Sequence, residues 1–158
     1  GTKRVKQRLP KDSRVNVAGD LLQLDTVIKF DRGIKRYILT AIDLYSRFTF
    51  AFAYTRLSST IAQDFMFKLE TIAPFKIKTL KTDNGMEFLG DFDAYLVKKS
   101  IVHYFSYPRT PKSNAYIERF NRTLQEECLD KLERNTKIIN SSLKKYLPYY
   151  NQERIHLF

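Results

Sequence analysis

The sequence predicts a mixed α/β domain, and three observations predict it. Strand-like segments with apolar residues at alternate positions crowd residues 21–54, a helix-period segment then leads into a further strand, and two more helical segments close the chain. At 158 residues the chain is long enough to bury a core without disulfide or metal staples.

The elements follow in order. Residues 1–18 carry Lys3, Arg4, Lys6, Arg8, Lys11 and Arg14 against one acid, Asp12, with neither helical nor strand period. They are a basic arm, either a solvated linker or a segment that touches a polyanion. Strands are expected at 21–29, 36–43 and 47–54, the first two joined by the turn-like Asp31-Arg32-Gly33. Ser58 or Ser59 caps a helix through Ile72, with Ile61, Phe65, Leu69 and Ile72 on one face, and Pro74 ends it. The strand at 76–82 follows this crossover, so it lies parallel to a strand already in the sheet, most economically the first. That places Asp25 beside Asp83. A short helix near 88–99, a strand at 101–105, a loop through Pro108 and Pro111, and helices at 113–133 and 137–152 complete the domain, with Pro148 expected to kink or shift the end of the last.

Composition narrows the partners. Twenty-eight Lys and Arg against 17 Asp and Glu leave a formal charge of +11, which favours a polyanion because neutralised phosphates release counterions. Cys128 is the only cysteine and His103 and His156 the only histidines, which excludes an internal disulfide and argues against a Cys/His zinc site. No apolar run approaches the roughly 18 residues of a membrane span. A cytoplasmic setting is expected, and Gly1 and Phe158 read as the ends of an excised domain.

Three carboxylates stand in awkward settings. Asp25 interrupts the strand-like Leu21-Leu22-Gln23-Leu24-Asp25-Thr26-Val27-Ile28, where an unpaired desolvated charge costs several kcal/mol unless a cation or ion pair offsets it. Asp83 ends Ile77-Lys78-Thr79-Leu80-Lys81-Thr82, just before Asn84-Gly85, at the strand end where α/β sheets bind ligands; by itself this is also a common turn. Glu118 flanks a helical core stripe of Ile117, Phe120, Leu124 and Cys128, stacked with Asn114, Arg122 and Gln125, and without the other acids it would read as a Glu118–Arg122 helix pair. Asp43 is a rival better explained by capping a turn, and Glu87 reads as a first-turn helix charge rather than a ligand. Three acids on a basic chain point to two divalent ions, Mg²⁺ or Mn²⁺, working on a phosphodiester.

These residues resemble the catalytic core of retroviral integrases and of the DDE transposases of bacterial insertion sequences. The carriers are Leu24-Asp25-Thr26, Thr82-Asp83-Asn84-Gly85-Met86-Glu87-Phe88, and Thr110 through Thr123 around Asn114, Glu118 and Arg122. The ending Tyr150-Asn151-Gln152-Glu153-Arg154-Ile155-His156 is similar to the close of the insertion-sequence branch. The resemblance covers residues 19–158 and implies a ribonuclease H-like fold, a five-stranded mixed sheet with helices on both faces. It implies that Asp25 bridges two ions while Asp83 binds one and Glu118 the other. It further implies that Lys112, Asn114, Arg122 and Gln125 contact DNA, and that the protein joins transposon ends to target DNA as a homo-oligomer, with end recognition in a domain upstream. Arg154 and His156 are expected either to touch DNA or to brace the last helix. A ribonuclease H-like nuclease that only hydrolyses and a catalytically silent DNA-binding module are the alternatives.

Overall fold

The computed structural model describes residues 5–10, 13–106, 115–131 and 135–154, apart from the side chain of Arg154. Strands β2 (Leu22–Asp31), β3 (Ile34–Asp43) and β4 (Thr49–Tyr54) form an antiparallel meander. Its first turn has positive φ at both Arg32 and Gly33, the backbone hand that matches strand twist in tight hairpins. Helix α1 (Ser59–Ile72) starts where the Ser58 side chain accepts a hydrogen bond from the Ile61 N–H. It crosses to β5 (Thr79–Thr82), which pairs parallel with β2 as the crossover predicts. A 3₁₀ turn (Met86–Phe88) and α2 (Gly90–Lys98) lead to β6 (Val102–Phe105), parallel to β5, and α3 (Ala115–Glu127) and α4 (Thr136–Arg154) follow.

The five expected strands are joined by a sixth. Gln7–Arg8, β1, pairs parallel with β6, so the sheet runs β1-β6-β5-β2-β3-β4. Two polar residues have no period to read, which is why this piece of the basic arm was expected to be irregular. The Arg8 guanidinium also donates to the Ser106 carbonyl at 3.0 Å.

Residues paired across the ladder share a face. Phe50 stacks on Phe65 of α1, whereas Ala51, pointing the other way, aligns with Thr40 and through it with Asp25. Asp25 is bonded from α3, so α1 and α3 cover opposite faces. The core between sheet and helices includes Leu22, Ile38, Leu39, Phe65, Leu69, Leu80, Phe88, Phe92, Phe120 and Leu124, all buried. On α1 the buried stripe is Ala62, Phe65, Met66 and Leu69 rather than one running through Ile61 and Ile72; the small Ala62 takes the close approach, and Ile72 is 53% exposed.

Helix α4 runs along the free edge of β4. Asn140 exchanges hydrogen bonds with the Ala53 N–H and C=O at 2.7 and 3.0 Å, and Asn151 does the same for Thr49 at 2.9 and 3.0 Å. Two side-chain amides thus stand in for a neighbouring strand and occupy edge groups that could recruit another chain. Pro148 lies between these clamps, and α4 runs through it to Arg154, against an expected end at 152. Asn151 belongs to the Tyr150-Asn151 ending, so part of that motif braces the last helix; His156 and the Arg154 side chain lie outside the described residues.

Candidate active site

Asp25 sits mid-strand on β2, opposite Thr40. The ladder joins Gln23 to Lys81 of β5, and Lys81 to Tyr104 of β6. Two residues further along each parallel strand, on the same face, stand Asp25 and Asp83. Asp25 is partly buried while Asp83, just past the strand end, is exposed. Burial pushes the Asp25 carboxyl up to about 6 from 3.8; the charges of Asp83 and Glu87 add to this, while hydrogen bonds from the Thr26 backbone and from Asn121 oppose it.

Asp83 is shaped by the glycine two residues on. The Gly85 N–H donates to Asp83 Oδ1 at 2.7 Å. A Cβ on Gly85 would stand 2.9 Å from that same oxygen and 2.2 Å from Glu87 Oε1, so only a glycine lets the two carboxylates lie this close to the backbone. Glu87 occupies the first turn of the 3₁₀ segment, as its sequence position indicates. Its carboxylate also accepts a hydrogen bond from Thr26 Oγ1 at 2.9 Å, a tie across the end of the sheet that local sequence does not reveal.

Helix α3 buries Ile117, Phe120, Leu124 and, just beyond its end, Cys128, the expected core face. Glu118 is exposed on the adjoining flank, with exposed Arg122 and partly buried Gln125. Lys112 and Asn114 fall outside the described residues. The residue missed by sequence is Asn121, buried among the apolar stripe, whose Nδ2 donates to Asp25 Oδ2 at 2.9 Å. An amide on a helix's core face, three residues after Glu118, was the available signal.

Asp25, Asp83 and Glu118 together line a cleft of about 230 Å³ with Gln23, Leu24, Lys81, Ser106 and Ile117. Sequence reasoning also passed over Lys81, whose buried ammonium has its pKa lowered by desolvation. Among the described residues, no three His, Cys, Asp or Glu side chains converge closely enough to hold one ion between them. Asp83 lies near enough for its charge to raise the Asp25 pKa, and the donor chemistry of the cleft suits a hard cation. The described wall carries carboxylate oxygens and neither His nor Cys, a hard set suited to Mg²⁺ or Mn²⁺, and the charge-burdened Asp25 is a group a cation would relieve. The rival Asp43 is fully buried and accepts hydrogen bonds from Gly19 N, Ser46 N and Ser46 Oγ, the turn-capping role expected of it.

Comparison with known proteins bears on the family and the fold. A family model described as Integrase core domain matches residues 16–111, and a second of the same description matches residues 99–157. A putative integrase, ORF3 of Spiroplasma virus SpV1-C74, is 30% identical over 165 aligned residues, which cover 86% of this chain and 44% of that protein. The insertion element IS476 uncharacterized 39.2 kDa protein of Xanthomonas euvesicatoria is 41% identical over 54 residues, covering 34% of this chain and 16% of the relative. The chain thus spans less than half the length of either relative. Among solved structures, the HTLV-2 integrase catalytic core domain in complex with magnesium superposes with a TM-score of 0.66 at 18% identity, over 85% of this chain and 87% of that one. A chain of the simian T-cell lymphotropic virus intasome in complex with PP2A regulatory subunit B56 gamma gives 0.69 at 17%, over 90% and 53%. The shared fold is ribonuclease H-like.

Proposed function

The chain belongs to the integrase core domain family, and on that premise we propose that it is a polynucleotidyl transferase that cleaves and joins DNA strands in transposition. The observation that carries this reading is Asp25: a carboxylate in the middle of a sheet, charged at a cost, sharing one cleft with Asp83 and Glu118. Asp25, Asp83 and Glu118 are the residues that would hold the divalent ions. Bound Mg²⁺ or Mn²⁺ would activate the attacking hydroxyl and neutralise charge at the leaving oxygen.

The chain's own residues do the rest. Asn121 holds one Asp25 oxygen and so fixes the plane of the carboxylate. Gly85 N–H holds Asp83 Oδ1, leaving Oδ2 for a ligand. Water attacks phosphorus at the element end and the P–O bond to the 3′ oxygen breaks, freeing a 3′ hydroxyl. That hydroxyl then attacks a target phosphodiester, again exchanging one P–O bond for another, so one set of carboxylates serves both steps.

A formal charge of +11 supports DNA as the partner. Arg122 and Gln125 extend the Glu118 flank along α3 as the DNA-facing edge; Lys112 and Asn114 are assigned to DNA contact from the sequence resemblance alone. Joining two element ends to one target needs two active sites, so the protein works as a homo-oligomer on DNA. No described helix is long and apolar enough to cross a membrane, and action on nucleoid DNA in the cytoplasm fits the reading.

An oligonucleotide assay with Mn²⁺ tests it, using element-end DNA and a target duplex. Cleaved and joined products are expected. Cleavage without joining would replace this reading with a hydrolytic nuclease, and neither product, with DNA still bound, would make the chain a silent binding module.

A further inference from the structure

The two segments that carry Asp25 and Asp83 are poorly tied by the sheet itself. The ladder between β2 and β5 consists of Leu22↔Leu80 and Gln23↔Lys81, and ends two residues before either acid. Beyond that point the pairing of β5 with β6 continues: Thr82 pairs with Phe105, and its carbonyl accepts from Ser106 N at 2.7 Å. Asp25 and Asp83 repel each other across the unzipped end, a repulsion that helps raise the Asp25 pKa. Something must hold the Asp83 turn against β2.

The Thr26–Glu87 hydrogen bond spans this gap. Thr26 follows Asp25 and points to the opposite face of the sheet, where its hydroxyl donates to Glu87 Oε2 at 2.9 Å. The other Glu87 oxygen lies against Gly85, on the side where Asp83 Oδ1 also sits. Phe88, the next residue, is fully buried against Phe92, so the stem of Glu87 starts from a fixed point. One carboxylate thus touches the neighbour of the first acid and the turn that shapes the second.

We propose that Thr26 and Glu87 form a latch across the open end of the β2–β5 ladder that sets the spacing of Asp25 and Asp83, so that Glu87 is a positioning residue for the metal pair. The inference rests on the metal reading given above. It assigns Glu87 the part of a hydrogen-bond acceptor; its negative charge is incidental and adds to the repulsion on Asp25. Gln retains an acceptor oxygen for Thr26, and Ser retains the donor for Glu87, whereas Glu87→Ala and Thr26→Val each remove one half of the bond. Thr26→Val is close in shape, so the packing of β2 is kept.

Mn²⁺ affinity, measured by titration of the protein without DNA, separates the possibilities, with circular dichroism and thermal melting confirming that each variant is folded. Glu87→Ala and Thr26→Val are expected to weaken Mn²⁺ binding about tenfold, the usual cost of removing a group that orients a ligand. Glu87→Gln and Thr26→Ser should keep near wild-type affinity. A fall in Glu87→Gln as deep as in Glu87→Ala would show that charge matters rather than the bond, and unchanged affinity in both Glu87→Ala and Thr26→Val would show that the latch does not set the site; either overturns the proposal. Asp25→Asn is the control for the reading beneath it: Mn²⁺ binding as strong in that variant as in the wild type would sink the metal site itself, whereas loss in Asp25→Asn with none in the latch variants would sink only the latch.

Discussion

Asp25 and Asp43 lie on partner strands of one hairpin, facing Thr40 and Leu22 respectively, and they differ in a way burial alone would misjudge. Asp43 is the more buried, with no exposed surface, yet it is fully served: Gly19 N, Ser46 N and Ser46 Oγ donate to it at 2.9, 2.7 and 2.6 Å. Asp25 keeps some contact with the cleft, but among the described residues its one side-chain donor is Asn121, and it faces the charges of Asp83 and Glu87. A buried carboxylate with enough donors is a structural cap that needs nothing further. A carboxylate with fewer donors and two like charges has an unmet demand for positive charge, and that demand marks the candidate site.

Exchanging the charge at each position should break the symmetry most visibly. Asp25→Asn is expected to lower strand cleavage and joining by about a thousandfold or more, since a bound ion supplies several kcal/mol of transition-state stabilisation. The same variant should be at least as stable as the wild type at pH 7 without metal, because it removes a charge that burial and its neighbours disfavour. Asp43→Ala should do the reverse. It strands buried donors, so urea unfolding should show a loss of about 3 kcal/mol, while the folded fraction binds Mn²⁺ as before. A strong activity loss in Asp43→Ala at full stability would contradict the division of labour drawn between the two.

Much of this was legible in the sequence because it depends on local pattern. Alternating residues along β2, β3 and β4, the helix period of α3, and the right-handed crossover that sets β5 beside β2 together bring Asp25 and Asp83 to one face. The turn role of Asp43 followed from its place at a strand end. What stayed hidden depends on contacts between distant segments. Asn121 reaches Asp25 across 96 residues and Thr26 reaches Glu87 across 61, and neither bond leaves a period or a motif of its own. Asn140 and Asn151 are hidden for the same reason: on a helix they read as ordinary polar residues until β4 is seen beside them. The strand at Gln7–Arg8 is too short and too polar to show alternation.

Acidity should sharpen the comparison by a smaller amount. In the metal-free protein the folded-state pKa of Asp25 is raised from 3.8 to about 6, so between those values the folded chain holds a proton that the unfolded chain has released. This contribution makes stability fall as pH rises from about 4 to about 6 and remain lowered above that, the opposite sense to Asp20 and Asp64, whose pKa values are depressed. The stability gap between Asp25→Asn and the wild type should therefore open across that window, to no more than about 3 kcal/mol. A gap constant from pH 4 to pH 7 would show that Asp25 carries no such shift. Mn²⁺ binding should run the opposite way to that stability contribution, weakening as pH falls through 6 and protons compete for the carboxylate.

The smallest change should come from making Asp25 still less like Asp43. Asn121→Ala removes the side-chain donor that partly serves Asp25, and it also removes Asn121 Oδ1, a buried oxygen with no hydrogen-bond partner among the described residues. The second effect offsets the first in the stability of the fold, so urea midpoints should move little. The carboxylate, however, loses the group that fixes its plane and opposes its protonation. Mn²⁺ affinity should fall by about tenfold at pH 7, and the pH at which binding sets in should move upward, since a carboxyl with one donor fewer holds its proton to higher pH. If affinity fell with no movement of that onset, Asn121 would be acting on shape alone, and the donor count would not be what separates the two aspartates.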